Sequence, residues 1–289
     1  MMRLLALLAL VLLSACMPRP AATPHYELGR PYQVNGVWFY PRESYNLTAT
    51  GLASVYGSGH APLTSDGEVF DQSQVMAGHP TLQLPAVARL TNLENGRAML
   101  VRINDRGTGT PNRLIQVTRR TAVLLGMNEA SATRVRMEIM PEESHAATDS
   151  LPGRPQLNLT VAPRDTVTAT ALPPPPGARS EAGRIGPTAP VVAAEVAPVA
   201  PVRLPETVTQ GIPNPGRLWV RLDTFEEYQY AAAQRARMSY LGAAIENSFD
   251  GRVRRFWARI GPMDTVRQAD DAQAEALAKG IPDALIVVE

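Results

Sequence analysis

Four titratable side chains in the first half of the chain have the types and spacing needed for proton-transfer chemistry. Glu68 and Asp71 lie three positions apart, and His79 and Asp105 follow them. A carboxylic acid can protonate a leaving oxygen when burial or a like charge keeps it protonated near neutral pH. A nearby histidine can orient that carboxyl group or contact a substrate in either protonation state. We therefore predict these four residues to be the catalytic candidates.

Each candidate also has a structural interpretation. The segment Asp66–Glu68 is a favourable turn sequence, and Asp71 can bracket that turn through its own backbone. Asn104-Asp105-Arg106-Gly107 can form a turn in which Asp105 pairs with Arg106 or accepts hydrogen bonds from loop amides. A lone histidine is usually structural. The residue pattern leaves both interpretations open.

Short strands surround the candidates and indicate a β-rich domain over residues 32–140. Asn95-Gly96 stands between two β-prone runs and predicts a hairpin. Thr118 can cap one helix, which ends at Gly126. Many short strands with one helix suggest a small barrel. The predicted strands are Val34–Tyr40, Leu52–Tyr56, Val87–Leu93, Ala98–Asn104 and the alternating Val135, Met137 and Ile139.

Residues 217–289 form a second pattern, which we interpret as β-α-β-α-β with both helices on one face of a sheet. The first helix is predicted to begin at Thr224 and to run to about Ala244. The second is predicted to begin at Asp264 or Thr265 and to end at Gly280. The predicted strands are Leu218–Leu222, Val253–Ile260 and Ala284–Val288.

The N-terminus predicts export. Arg3 precedes an apolar run from Leu4 to Leu13, and the run is too short to span a bilayer as a helix. Leu13-Ser14-Ala15-Cys16 resembles the lipobox of bacterial lipoproteins, in which the cysteine is acylated. Cys16 is also the only cysteine among 289 residues, so no disulfide can form within the chain. We predict a signal peptide over residues 1–16, lipidation at Cys16 and a tether over residues 17–31.

The middle of the chain is poor in the residues that build a core. Residues 141–216 contain fifteen of the 26 prolines and no Phe, Tyr, Trp or Cys, which predicts a long disordered Pro/Ala-rich linker. The net charge is only +1, so nothing favours a nucleic-acid partner. No motif for a metal or a cofactor is present, and we predict none.

The barrel segment resembles the rare lipoprotein A family, double-psi β-barrel proteins described as peptidoglycan lytic transglycosylases. The matching stretches occur in the family's order over roughly a hundred residues. They are Gly51–Gly57, Thr64–Asp71, Ala77–His79, Thr81–Pro85, Thr91–Arg97 and Val101–Gly107, with a lead-in at Gly29–Gly36 and Tyr40–Glu43.

The resemblance implies an enzyme that cuts glycan strands endolytically. In such an enzyme the 6-hydroxyl of the sugar attacks and leaves a 1,6-anhydro end, so fewer carboxylates are needed than in a hydrolase. The resemblance also implies roles for individual residues. Asp105, Glu68 and His79 occupy positions that cluster in the family's groove and are expected to be catalytic. Asp71 remains a fourth catalytic candidate through its spacing to Glu68, and Tyr56, Asn104 and Arg106 are expected to bind substrate.

The C-terminal segment resembles the sporulation-related repeat, or SPOR domain, which binds glycan stripped of its peptide stems. The signals are Leu218–Leu222 with Phe225, then Phe256–Pro262. Planar arginines and aromatic faces suit contact with sugar, although strand alternation alone can produce such a pattern. The candidate residues are Arg254, Phe256 and Trp257, beside Arg252, Arg255 and Arg259.

Together these resemblances place the protein at the cell wall. The expected partners are denuded peptidoglycan strands, the membrane through Cys16, and division-site proteins. Met17 follows the cysteine instead of the aspartate that marks inner-membrane retention. We therefore expect the periplasmic face of the outer membrane, with enrichment at the septum.

Several positions depart from the family pattern, and they keep a second function open. Gln116 stands where the family usually has an aspartate, and an amide cannot act as an acid. The loop His60–Leu63 is one residue short and lacks the usual Phe-His-Gly, Thr108 replaces a proline, and Val55 replaces a tryptophan. The alternative is a catalytically impaired lipoprotein that binds septal glycan. We favour the enzyme because Glu68, Asp71, His79 and Asp105 are intact.

Overall fold

The computed structural model describes residues 21–110, 112–155 and 203–289. The predicted signal peptide, Cys16, Met17 and most of the predicted linker lie outside these ranges. The first domain contains eight described strands and two helices. They are β1 (Tyr32–Val34), β2 (Val37–Phe39), β3 (Thr48–Val55), β4 (Met76–Gly78), β5 (Ala86–Asn92), β6 (Arg97–Asp105), β7 (Ile115–Val117), α1 (Arg119–Leu125), β8 (Thr133–Ile139) and α2 (Pro141–Thr148).

Six of these strands close into a barrel, which confirms the predicted double-psi β-barrel. The hydrogen-bonded order is β4, β7, β3, β8, β5 and β6, and β6 pairs again with β4. The pairs β3/β7 and β4/β6 are parallel, and the remaining neighbours are antiparallel. Closure satisfies both edges of the sheet, so the inward side chains form one core. That core includes Leu90, Val101, Ile103, Ile115 and Met137.

Two Asn-Gly turns organise the first domain. The turn Glu94–Gly96 joins β5 to β6 as predicted, with Thr91 opposite Ala98 and Gly96 at φ +78°. The run Val34–Tyr40, predicted as one strand, is part of the β1–β2 hairpin. Asn35 and Gly36 both have positive φ, +50° and +83°, so the chain reverses there.

Helix α1 begins after Thr118 and ends at Gly126 in the left-handed conformation, as predicted. Thr118 acts differently from an ordinary cap. Its hydroxyl donates to the Gln74 carbonyl at 2.6 Å and makes no capping hydrogen bond to the helix. The residue therefore ties the start of α1 to the chain before β4.

The segment predicted as the tether over residues 17–31 is bound to the barrel from Thr23 onward. The Thr23 amide donates to the Gly67 carbonyl at 2.9 Å, and the Glu27 amide donates to the Leu84 carbonyl at 2.8 Å. These are backbone hydrogen bonds, which carry no side-chain pattern that a sequence could display. The barrel domain thus starts before residue 32.

Both ends of the predicted linker are also ordered. Residues 141–148 form α2, where Pro141 occupies the first turn and Ser144 accepts a hydrogen bond from the Val87 amide at 2.9 Å. Proline suits the start of a helix, so its presence there is not a disorder signal. At the other end, strand β9 (Thr209–Gln210) pairs with β6 at Arg97 and Ala98.

The C-terminal domain is a four-stranded antiparallel sheet with two helices. Its elements are β10 (Leu218–Phe225), α3 (Tyr228–Arg237), β11 (Ala244–Phe249), β12 (Arg254–Met263), α4 (Val266–Ala278) and β13 (Leu285–Val288). The strand order is β11, β12, β10, β13. The chain order is therefore β-α-β-β-α-β, with one more strand than predicted.

The extra strand and the first helix correct the prediction for this domain. Thr224 lies in β10, and α3 begins after Glu227 and ends at Arg237 instead of near Ala244. Gly242 in the left-handed conformation then leads into β11. Most of β11 is exposed at the sheet edge, so the strand carries little apolar alternation. The second helix follows the prediction, with a capping box between Thr265 and Gln268.

Across residues 21–110, 112–155 and 203–289, no helix combines the length and apolar character needed to cross a bilayer.

Candidate functional site

Two of the catalytic candidates, His79 and Asp105, lie side by side at one end of the barrel. Asp105 is the last residue of β6 and lies opposite Gly78 of β4 in the parallel pair. His79 follows Gly78, and its amide donates to the Asp105 carbonyl at 2.9 Å. The parallel β4–β6 pairing therefore brings together residues that are far apart in sequence.

The Asp105 carboxylate is surrounded by hydrogen-bond donors. Oδ1 accepts from the Ser65 amide at 2.9 Å and from its hydroxyl at 2.8 Å. Oδ2 accepts from the Tyr56 hydroxyl and the Gly107 amide, both at 2.9 Å, and lies 3.0 Å from Nε2 of His60. Burial alone would raise the pKa of Asp105, but these hydrogen bonds outweigh burial and lower it. Asp105 is therefore held as a carboxylate.

His60 is the functional candidate that the sequence reasoning missed. Its ring stacks on Phe70 with centroids 3.8 Å apart and meets Tyr56 edge-on. Nε2 faces Asp105, and Nδ1 lies 2.8 Å from the Ala61 carbonyl. Both neighbours are acceptors, so both contacts are hydrogen bonds only when the ring carries two protons. The signal available in the sequence was a histidine inside the Gly57-Ser-Gly-His60 loop.

Tyr56, predicted to bind substrate, contacts both Asp105 and His60. Burial and then the Asp105 charge raise the pKa of Tyr56, so its hydroxyl stays protonated and donates. The ring is almost entirely buried, at 4% exposure. Tyr56 thus contacts Asp105, His60 and Phe70 and presents little surface to a ligand.

Glu68 lies beneath this surface in a buried ion pair. Arg102 donates to its Oε1 through Nε at 2.9 Å and Nη2 at 2.6 Å. Asn104, also predicted to bind substrate, donates to its Oε2 at 2.8 Å. The side chains of Glu68 and Arg102 are 4% and 6% exposed. These bonds engage both carboxylate oxygens, so the geometry suits a structural role in which Glu68 stabilises the 64–68 turn.

Asp66 is a second carboxyl group that the sequence reasoning passed over. It is fully buried, and its Oδ1 accepts from the Thr64 hydroxyl at 2.7 Å. Within the described ranges its Oδ2 has no hydrogen-bond partner. Burial, and then the nearby charge of Glu68, raise the pKa of Asp66 to about 8. This carboxyl group is therefore protonated near neutral pH, but it has no solvent-facing surface.

His79 is also buried. Its Nδ1 accepts the amides of Thr81 and Leu82, each at 3.2 Å. Burial and then the charge of Arg106 lower the pKa of His79 to about 3, so the ring is neutral. His79 shapes the turn after β4, as the structural interpretation expected of a lone histidine.

Asp71 occupies a turn position. Its Oδ1 accepts from the Ser73 amide at 2.8 Å and the Ser73 hydroxyl at 2.6 Å. The Gln74 amide also donates to the Asp71 carbonyl at 3.1 Å. This arrangement agrees with the interpretation of Asp71 as a turn residue.

Arg106 and Gln116 bind backbone and loop groups beside the pair. Arg106 donates to the carbonyls of Leu82 and Leu28, the latter at 2.6 Å, and makes no hydrogen bond or ion pair with Asp105 among the described contacts. Gln116 accepts from the Thr108 amide at 2.5 Å and the Thr108 hydroxyl at 2.9 Å. The amide that replaces the family's aspartate therefore fixes the loop after Gly107.

A cleft opens next to this loop. The residues lining it are Gly78, Pro80, Arg106, Gly107, Gly109, Thr110, Arg113, Ile115 and Gln116. No group of three or more His, Cys, Asp or Glu in the described chain is arranged to hold a metal.

The predicted glycan-binding residues of the C-terminal domain lie on or beside β12. Phe256 meets Tyr228 edge-on at 5.7 Å, and exposed Arg254 lies 5.9 Å from the Phe249 ring. The Trp257 Nε1 is buried and has no hydrogen-bond partner among the described groups. Arg259 is already engaged by Glu246 and Glu289 and covers the Trp219 ring at 3.8 Å. Arg255 pairs with Asp250.

Comparison with known proteins agrees with this architecture. Residues 48–137 match a family model described as lytic transglycolase. The relatives include endolytic peptidoglycan transglycosylase RlpA of Rickettsia felis, 33% identical over 124 residues, or 42% of this chain and 54% of the relative. RlpA of Yersinia pestis is 35% identical over 181 residues, or 54% and 49%. RlpA of Pseudomonas aeruginosa strain PAO1 is 32% identical over 221 residues, or 74% and 62%.

The chain spans about half to three fifths of the length of these relatives. The family match covers the closed barrel, including Glu68, His79, Asp105 and Gln116, and the fold agrees with it. Through its barrel domain, this chain is therefore similar to the lytic transglycolase family model and to the relatives named RlpA.

Proposed function

We propose that this protein is an endolytic peptidoglycan transglycosylase that cleaves peptide-poor glycan strands and leaves 1,6-anhydro ends. The observation that carries the proposal is the His60–Asp105 pair at the end of the barrel, beside the cleft at Gly107 and Gln116. The names of the relatives support the reaction type.

The geometry favours His60 as the group that moves the proton. Asp105 is stabilised as a carboxylate by five donor groups, so it is a poor acid in this arrangement. Its Oδ2 lies 3.0 Å from His60 Nε2, and the His60 side chain is the more exposed of the two, at 12% against 6%. A histidine oriented by a carboxylate is suited to acid–base catalysis.

The proposed reaction needs one proton carrier. His60 gives its proton to the glycosidic oxygen as the bond to the anomeric carbon breaks. The 6-hydroxyl of the same sugar attacks that carbon, and its proton returns to the His60–Asp105 pair. The products are a 1,6-anhydro end and a free hydroxyl, and no water is consumed.

We also propose a location and a second binding element. Lipidation at Cys16 would anchor the protein, and Met17 favours the outer membrane. The C-terminal domain would bind denuded glycan through exposed Arg254 and the partly exposed Phe256, and would enrich the protein at the division septum.

One observation favours the alternative of a glycan-binding protein without chemistry. Gln116 replaces the family's usual aspartate and binds Thr108 in the loop beside the cleft. Glu68 and His79 are also engaged in internal hydrogen bonds. If Asp105 and His60 are insufficient, the barrel would hold glycan without cutting it.

The experiment uses the chain from residue 17 onward with glycan whose stems an amidase has removed. Mass spectrometry would count new 1,6-anhydro ends for the wild type and for Asp105→Asn and His60→Gln. We expect ends from the wild type and at least about a hundredfold fewer from either variant.

Glu68→Gln is the matched control for misfolding. Removing one partner of a buried ion pair costs roughly 3–5 kcal/mol, so its activity loss should accompany a lower melting temperature. Absence of ends from the wild type, with glycan retained in a pull-down, would instead support the binding protein.

A further inference from the structure

The C-terminal domain packs directly on the barrel beside the candidate site. The described residues up to Arg154 and from Arg203 onward belong to one compact unit. Leu52 of β3 and Leu93 belong to the same buried cluster as Leu218 and Ile286 of the C-terminal sheet. The Val288 amide also donates to the Thr50 hydroxyl at 3.1 Å. Strand β13 therefore lies against the barrel strand β3.

One acidic side chain of the C-terminal domain binds the barrel loop that borders the cleft. Asp270 of α4 accepts from the Asn112 amide group at 2.6 Å. It also accepts from Arg113 through Nη1 at 2.8 Å and Nη2 at 3.2 Å. The side chains of Arg113 and Asp270 are 15% and 27% exposed, so water screens this bidentate pair only partly.

The same loop is connected to the proposed catalytic pair at its other end. The Gly107 amide donates to Asp105, and Thr108 donates to Gln116. The Leu114 amide donates to the Leu52 carbonyl at 2.8 Å, in the packed region between the domains. Arg113 both lines the cleft and binds Asp270. Asp270 is thus the described carboxylate that pairs with a guanidinium at the cleft edge.

We propose that Asp270 is a positioning residue, through which the docked C-terminal domain holds loop residues 107–110 and 112–114 in the arrangement that the barrel needs to cut glycan. The barrel and the C-terminal domain would then act as one unit. This inference has two parts. Its functional half, that Asp270 supports cleavage, rests on the proposed transglycosylase activity. Its structural half, that Asp270 orders the loop, rests on the Arg113–Asp270 contact.

The test compares three variants of the full chain in detergent micelles. Asp270→Ala removes the pair, and Asp270→Glu keeps a carboxylate that can reach Arg113. Asp271→Ala makes the same change at the neighbouring, exposed position of α4, which has no described contact to the loop. One readout is hydrogen exchange of the amides of Gly107, Thr108, Arg113 and Leu114, which are hydrogen-bonded in the structure.

The second readout is the rate of 1,6-anhydro end formation as a function of glycan concentration. For Asp270→Ala we expect faster exchange of these amides and kcat lower by about tenfold. The effect on KM should be smaller. Asp271→Ala should match the wild type, and Asp270→Glu should recover most of both readouts.

Equal exchange and equal kcat in the Asp270→Ala and Asp271→Ala variants would overturn the proposal. Faster exchange with unchanged kcat would overturn its functional half. A wild type that makes no ends refutes the proposed function and this functional half together. The exchange data would then still decide whether Asp270 orders the loop.

Discussion

Three buried carboxyl groups near the candidate site differ in their hydrogen-bond partners. Asp105 receives five hydrogen bonds and has a lowered pKa. Glu68 is paired with Arg102 and Asn104. Asp66 has one strong donor, at Thr64, and its pKa is raised to about 8. Residue type alone could not rank these groups, because hydrogen bonding and burial determine which of them is ionised.

The raised pKa of Asp66 predicts that Asp66→Asn increases the free energy of unfolding by an amount that depends on pH. Below about pH 4 both folded and unfolded states keep the carboxyl group protonated. As pH rises, the unfolded state ionises first, while the folded state stays protonated up to about pH 8. Asp66 therefore lowers the free energy of unfolding progressively between these values. Asparagine cannot ionise and keeps the Oδ1 acceptor for Thr64.

We expect the difference in melting temperature between Asp66→Asn and the wild type to grow in favour of the variant from pH 4 to pH 8. Melting curves at pH 4, 6 and 8 would measure it. The exposed substitution Asp271→Asn should show only a small change over this range. A difference for Asp66→Asn that stays constant with pH would contradict the assignment.

At the scale of elements, short segments outside the barrel strands determine the shape of the site. The N-terminal segment binds the turn that contains Asp66 and Glu68, since Thr23 and His25 donate to the carbonyls of Gly67 and Asp66 at 2.9 Å. A Cβ atom at Gly67 would lie 2.3 Å from the Thr23 carbonyl oxygen. Glycine is thus required there both for φ +82° and for the close approach of the two backbones.

This packing predicts that Gly67→Ala destabilises the protein more than Gly36→Ala. Both glycines have φ near +82°, but a Cβ at Gly36 would meet no atom within 4 Å. Gly36→Ala should cost only the conformational penalty, about 1 kcal/mol. Gly67→Ala should cost this and the clash, and should increase hydrogen exchange at the amides of Thr23 and His25. Urea unfolding would compare the two free energies, and equal losses would contradict the packing.

At the scale of the whole molecule, two domains separated by more than fifty residues share a buried interface. Leu52 is fully buried in the cluster that contains Leu218, Val220 and Ile286. The interface therefore links the strand behind the site to the sheet predicted to bind glycan.

We predict that Leu52→Ala lowers the free energy of unfolding by about 2–5 kcal/mol because it leaves a cavity at this interface. Leu285→Ala is the matched control, since Leu285 is 48% exposed. Its expected effect is below about 1 kcal/mol. Urea unfolding followed by tryptophan fluorescence would measure both variants. A similar loss in the two would show that Leu52 is not buried between the domains in solution.

The sequence by itself determined the local elements and the family-like pattern. Asn95-Gly96 predicted the β5–β6 hairpin, and Thr265 predicted the start of α4, because turn and capping chemistry act within a few residues. The alternation of apolar Val135, Met137 and Ile139 with polar residues predicted β8, because successive side chains of a strand point to opposite faces.

The tertiary structure alone decided which side chains meet. The parallel β4–β6 pair and the loop before Glu68 place His60 beside Asp105, a separation of 45 residues that no local pattern reports. The Arg113–Asp270 contact joins residues 157 apart. Burial and donor number then decide which carboxyl groups are charged, and both quantities arise only after the chain has folded.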